Sequence, residues 1–502
     1  MKADLSRDTF EPRHRFSRVL LQQGRVLLDA DWNEQHDILL DYIRALTADV
    51  IGPYGGPDGN AGFGVSIDAS SLSPADQARL NINNNELVLG DFLIGAGRYY
   101  VGGVLVENAE VLTFLSQPDL PATKAINGGQ SDTFLVYLDV WERHVTGVEH
   151  RRLREVALGG PDTATRAQVL AQVKVLQTDL DLTDPTSITV DKVRAGLHIL
   201  SIEEQRILRN IALITLTAAV KKIKGKDKVT VEGNITELRK LSLPADPVRL
   251  RARAYLPNAP IDPCSIQPDS RYRGAENQLY RVEVHRSGPV PPGGGAPGAT
   301  FKWSRENGSV VFPIRSLAGA VATVTSLGRD ARFGLQVGDW VEVVDDDSVL
   351  QNFANPLLRV KTIKDLDVTL GSNPVAGQNS KRHRLLRRWD QTGDANLSDG
   401  AVPIVEGAGD NGWLTLEDGV QVQFQSPPTG AAANFYTTGD YWLIPARVAT
   451  GDVEWPGPSD DPAPLPPRGI RHRYAPLATI KISNNQVTLP TDSDLRVIFD
   501  AL

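Results

Sequence analysis

The sequence is almost without sulfur. Cys264 is its only cysteine and Met1 its only methionine among 502 residues. A single thiol excludes internal disulfides, cysteine-ligated zinc, iron–sulfur clusters and CxxC redox chemistry. With no second methionine, Leu, Ile and Val must fill the core, and there is no Met-rich adaptable surface. Long apolar runs are missing too, and none approaches the roughly 18 residues of a spanning helix. The opening Met1-Lys2-Ala3-Asp4-Leu5-Ser6-Arg7-Asp8 has no apolar stretch, so no secretory signal peptide is expected. Positive charge is not in excess. Lys and Arg number 53 against 61 Asp and Glu, a net charge of −8 with pI near 5.6. No global field would recruit nucleic acid or an anionic membrane.

Motifs of known chemistry are also lacking. There is no HExxH, no GxGxxG or GxxxxGK[ST] after a strand, and no GxSxG around Ser265, Ser304 or Ser309. The eight histidines, His14, His36, His144, His150, His198, His285, His383 and His472, show no metal-ligand spacing. His144 and His150, near Glu142 and Glu149, read as a charged strand-to-turn surface. Asp345-Asp346-Asp347 follows an apolar run without EF-hand spacing. It reads as a solvated turn, with a Ca²⁺ site as the alternative. Paired glycosidase carboxylates could hide among the acidic residues, because spacing along a chain does not report separation in space. The expectation is a protein without catalytic residues, cofactor or metal.

What is present is a β-rich pattern with helical interruptions. Asp31-Trp32-Asn33-Glu34 has the form of a capping box. Ile38, Leu39, Tyr42, Ile43, Leu46 and Val50 follow at helical spacing up to Gly52-Pro53, which predicts a helix over 32–51. Glu86–Leu89, Arg98–Val101 and Gly103–Val106 read as short strands. Phe134–Trp141, apolar on both faces, reads as a buried strand. Thr163–Leu176 has an ambiguous period. Ser201-Ile202-Glu203-Glu204 is a second capping box, opening a helical face through Ile207, Ile211, Ile214 and Leu216. The basic run Lys221–Lys228 reads as a solvated loop.

From Tyr280 onward nine short strands alternate with turns, as in sandwiches or small barrels. Gly-Asp-aromatic turns recur at Gly90-Asp91-Phe92, Gly338-Asp339-Trp340 and Gly439-Asp440-Tyr441. The Pro/Gly-rich stretches Pro289–Gly298 and Trp455–Pro467 suit exposed or partner-clasping segments. The fold class expected is mainly β with α insertions, multi-lobed, with β-sandwich or small-barrel modules. Its divisions are an N-terminal arm and helix (1–64), a β-rich module (65–184), a helical insertion (185–245) and two further β-rich modules (246–380 and 381–502).

Several long motifs carry a resemblance. They include Ser6-Arg7-Asp8-Thr9-Phe10, the run Gln22–Gln35 (QQGRVLLDADWNEQ), Gly97–Gly103 (GRYYVGG) and Tyr137–His144 (YLDVWERH). Ala157–Thr163, Glu276–Glu283 (ENQLYRVE), Phe301–Asn307 (FKWSREN), Leu416–Val420, Gly439–Arg447 (GDYWLIPAR) and Tyr474–Leu477 complete the set. Together they resemble an uncharacterised bacterial family that accompanies phage-tail-like contractile injection systems. The resemblance implies a structural protein near the baseplate, such as a cage, extension or fibre adaptor. It implies partners among baseplate, sheath or fibre subunits, and copies of itself within the particle. It supplies no catalytic residues. A chain of this kind would be made in the cytoplasm and belong to a particle that is either cell-anchored or released.

Interface candidates are Phe10, Arg25 and Trp32 in the N-terminal segment, and Trp389 and Trp455, whose Arg- and Pro-rich flanks suit a surface. Removing residues 1–30 is expected to detach the protein from particles and leave the β body folded. The rival readings are a glycan- or cell-surface-binding module, with exposed tryptophans stacking on sugars, and a carboxylate-dependent polysaccharide hydrolase.

Overall fold

The structure is a computed structural model. It describes all residues except 122, 129–131, 198–199, 242–247, 256–270, 291–297, 331, 376–381, 392–396, 398, 430–432 and 501–502. Cys264, His198 and most of the 289–298 stretch lie outside the described residues. Strand outweighs helix, 33% against 21%, so the chain is mainly β with a few helices. It folds as two compact units, each gathered from three separated stretches of sequence.

The first unit takes residues 1–35, 143–168 and 244–470. Six strands close into a barrel in the order 311–318, 321–324, 367–370, 357–364, 340–344 and 385–389. Val341, Val343, Val360, Val368 and Leu386 fill its interior. Beside it stands a five-stranded sheet with Gln278–Arg286 at its centre, between Thr300–Ser304 and Tyr441–Arg447. Tyr280, Val282 and Val284 face an apolar core with Phe301, Trp303, Phe424 and Trp442. Two of the three Gly-Asp-aromatic turns behave as expected, whereas Phe92 stops one residue short of the strand Leu93–Ile94. Gly338 and Gly439 hold φ of 100° and 87°, and the aromatic after each opens a strand.

The second unit takes residues 36–142, 169–243 and 471–502. Its long strand Asp132–Val145 is buried continuously from Phe134 to Trp141. The reason is that it separates two cores. Phe134, Val136, Leu138 and Val140 pack into a β core. Leu135 and Tyr137 turn the other way, onto Leu208, Ile211, Leu216 and Val231 of the helical segment. That segment contains the helices Val190–Gly196, Ile202–Val220 and Gly225–Lys240. The Ser201/Glu204 capping box forms as the sequence implies, with both reciprocal hydrogen bonds present. The ambiguous stretch resolves as the strand Arg166–Gln177.

Three local expectations are corrected. Glu86–Leu89 is no strand: Glu86 makes an isolated bridge to Asn83 across two residues in left-handed conformation, Asn84 and Asn85. The basic run is only partly loop, since the helix Gly225–Lys240 already includes Lys226 and Lys228. The N-terminal helix runs over Asp29–Ile51, so Asp31 sits in its first turn and not at its cap.

Candidate assembly site

The N-terminal ten residues are woven into the first unit. The strand Gln278–Arg286 alternates Tyr280, Val282 and Val284 with Arg281, Glu283 and His285, and all six are buried. One face therefore joins the apolar core and the other carries charge, because a strand turns successive side chains to opposite faces. Glu283 lies directly across from Lys302, and Glu342 across from Arg387. Lys302 Nζ donates to Glu342 at 2.6 Å and stands 3.5 Å from Glu283. Arg281 Nε donates to Glu283 at 2.6 Å, and Lys2 Nζ reaches the same carboxylate at 3.1 Å. Trp389 closes the network: its Nε1 donates to Glu342 at 3.0 Å, and Lys302 lies 4.4 Å from its ring centroid.

Four cations, Lys2, Arg281, Lys302 and Arg387, thus meet two carboxylates. Burial would raise the Glu283 carboxyl, but Lys2, Arg281 and Lys302 hold it well below its usual range. Burial opposed by Lys302 likewise leaves Glu342 lowered. Burial, aided by nearby cations, also keeps the neighbouring histidines neutral. Burial, with Lys302 beside it, pushes His285 down to about 3. Burial, with Arg387 beside it, does the same to His144. His285 Nδ1 and His144 Nε2 are buried without a hydrogen-bond partner among the described residues. His144 is thus half-buried on the strand Asp132–Val145 in a cationic surrounding, whereas His150 is exposed, so the charged strand-to-turn surface expected there holds only at His150.

The backbone of residues 1–3 completes this region. Asn307, in left-handed conformation with φ of 51°, donates through Nδ2 to the carbonyls of Met1 and Ala3. Arg281 Nη1 donates to Met1 as well. Further along, Asp8 pairs with Arg468, and Ser6 accepts from Arg447. Thr9 donates to Glu34 at 2.7 Å. Phe10 is half-buried. Residues 1–10 are thus a strap belonging to the fold, so the part of 1–30 that is not tied into the unit starts after Phe10 and not at residue 1.

From there the character reverses. Residues 15–28 are exposed almost throughout, with Phe16, Leu20, Leu21, Val26, Leu27 and Leu28 among the exposed apolar side chains. Arg25 is exposed beside them. The helix Asp29–Ile51 carries the same inversion. Ile38 is buried and Arg44 pairs with Glu142 at 2.8 Å. Gly103, at φ of 78°, lets the neighbouring turn approach the Arg44 carbonyl where any Cβ would clash. The apolar stripe whose spacing predicted the helix faces outward. Leu39, Ile43, Leu46 and Val50 are 47–57% exposed, and Tyr42 and Trp32 more so.

The chain belongs to a family. A model described as "Family of unknown function (DUF6519)" matches residues 1–484, which takes in the strap, the arm and the outward-facing helix. No curated protein matches the sequence. A solved structure described as "Crystal structure of TssK" is similar at 10% identity over 75% of this chain and 96% of that one. Its TM-score is 0.17, which is too low to carry an argument.

The remaining sequence candidates lie elsewhere. Trp389 is not at the surface: it is 1% exposed and held between Glu342 and Lys302, out of reach of a sugar. Its arginine flanks misled, because Arg387 and Arg388 are buried with it. Trp455 is half-buried, and its Nε1 donates to Ala463 at 2.8 Å. The Pro-rich stretch around it is laid onto its own body, where Leu465 exchanges backbone hydrogen bonds with Leu250 at 2.9–3.0 Å. It is no free clasp. Asp345 caps the short helix Asp346–Leu350, accepting from Ser348 N at 2.8 Å. Asp346 pairs with His383 at 2.9 Å. Both aspartates are buried, so the cluster is a helix cap and not a solvated turn. Among the described residues, no group of three or more His, Cys, Asp or Glu is placed to hold a metal ion.

The buried network escaped sequence reasoning, although its signal was present. Alternating Arg-Val-Glu-Val-His in a run otherwise apolar marks a strand with one charged buried face.

Proposed function

We propose that the chain is a structural subunit of a phage-tail-like contractile injection particle, at or around its baseplate. It acts by protein–protein assembly, with the arm 15–28 and the outer face of the helix Asp29–Ile51 as docking surfaces. The outward apolar stripe Leu39–Ile43–Leu46–Val50 carries the assembly reading. An apolar face left in water on an otherwise polar helix marks a surface that another protein covers. The motifs shared with the injection-system family support the location.

The test is co-sedimentation. Particles from the producing cell are separated on a density gradient and each fraction is probed for this chain. Co-migration with a sheath-and-tube particle at fixed stoichiometry is expected, with Ile43→Glu lowering occupancy at least several-fold. A chain found only as a free species in every fraction overturns the reading.

A further inference from the structure

We propose that the helix Asp29–Ile51 docks in parallel on the same helix of a second copy of this chain. The proposal rests on the reading of that helix as an assembly surface and names its occupant.

The exposed stripe follows a strict spacing. His36, Leu39, Ile43, Leu46 and Val50 succeed one another by three, four, three and four residues, and Trp32 extends the pattern one step earlier. This is the 3.5-residue repeat of a coiled-coil seam, in which His36, Ile43 and Val50 take the a positions and Leu39 and Leu46 the d positions. Residue choice then bears on the partner. β-branched residues at a with leucine at d favour two parallel strands. A single polar residue at an a position, here His36, pins the register.

Charge bears on it as well. The helix is acidic overall, yet its charges avoid the seam. Between His36 and Val50 the e and g positions are Leu40, Tyr42, Thr47 and Asp49, with one charge among them. Asp37, Asp41 and Arg44 fall at the b and f positions. Two copies paired in parallel therefore bring no facing row of like charges together, and Leu40 and Tyr42 widen the apolar contact. A partner chosen by charge would need complementary residues at e and g to read, and this helix presents almost none. The seam is short, but the helix is held in place by its own unit, so little ordering cost opposes pairing.

The experiment uses the full-length chain carrying Cys264→Ser and one new cysteine. Leu39→Cys and Leu46→Cys, both at d, are each oxidised alone and in mixture, with Asp41→Cys at the f position as the collision control. A parallel in-register pair brings identical d residues within disulfide reach. The expected result is disulfide-linked dimer from Leu39→Cys alone and from Leu46→Cys alone. Dimer from Asp41→Cys and mixed 39–46 dimer should each be at least several-fold less. Adding Ile43→Glu should abolish the cross-links and leave the melting curve unchanged.

No same-residue dimer, or dimer no greater than in the Asp41→Cys control, overturns the proposal. Predominant 39–46 cross-links overturn the parallel arrangement. Occupancy in sedimented particles separates the two readings. If Ile43→Glu lowers occupancy and no cross-link forms, the helix docks on a different subunit, and only the second-copy proposal falls. If cross-links form and Ile43→Glu keeps full occupancy, the copies pair as proposed, and the assembly role given to this face falls instead.

Discussion

Two regions of this protein invert the usual rule in opposite directions. Around Glu283 charge is inside; along the outer face of the N-terminal helix apolar surface is outside. The first holds because each buried carboxylate is paired, Glu342 with Lys302 and the Trp389 indole, and Glu283 with several cations. Glu283 alone is approached by Arg281, Lys2 and Lys302. The cost of burying ions is offset only by geometry of that quality, and removing one partner leaves the others unpaired. The second region has no such internal compensation, and its Leu39, Ile43 and Leu46 side chains stay exposed. Buried charge here fixes the chain to itself, and the exposed apolar surface is what the assembly proposal rests on.

The largest way to break the contrast is Glu283→Gln. It leaves Lys2 and Arg281 without the carboxylate they pair with and Lys302 with Glu342 alone, and should cost about 3–5 kcal/mol in urea denaturation. A loss below about 1 kcal/mol would mean that the network is not a structural anchor.

Acid is expected to act next, and in graded fashion. His285 and His144 stay neutral in the fold down to about 3 but take up protons from 6.5 when unfolded. Their contribution is present above pH 6.5 and lost as pH falls toward 3. Glu283 is depressed from 4.5, so its contribution is present above that value and lost below it. Urea midpoints should therefore fall from pH 6.5 downward and steepen below 4.5. His285→Gln should flatten the upper part alone; an unchanged slope there would exclude His285 as the cause.

Trp389→Phe removes the indole donor to Glu342 and should cost about 1–3 kcal/mol. Trp389→Ala would also open a cavity, so it tests the core and not sugar binding.

The smallest effect on stability belongs to the other region. Ile43→Glu or Leu46→Glu, at exposed positions, should change unfolding free energy by no more than about 0.5 kcal/mol. Particle occupancy is where they should register. A loss comparable to Glu283→Gln would show that this face is already buried within the chain.

Much of the architecture was legible from local signals. The Ser201 capping box, the two-faced apolar run 134–141 and the Gly-Asp-aromatic turns at Gly338 and Gly439 each carry their signal in neighbouring residues, so spacing reported them correctly. The candidate site was legible only in outline. Phe10, Arg25 and Trp32 drew attention to the N-terminal segment, but the boundary between strap and arm was invisible, because Asn307 and Glu283, which hold residues 1–3, lie some 280–305 positions away. Trp389 was misplaced for the same reason. Arginine flanks look solvated until a partner strand supplies Glu342.

The sequence by itself determined most of the strands and helices, the apolar stripe along the N-terminal helix, and that disulfides have no part in the fold. Those properties depend on residue identity and period. Tertiary structure alone decided which side of that helix faces the protein, and that two interleaved units form from six stretches. It also decided that charges on a central strand are buried. Periodicity says that two faces differ; only long-range pairing says what each face meets.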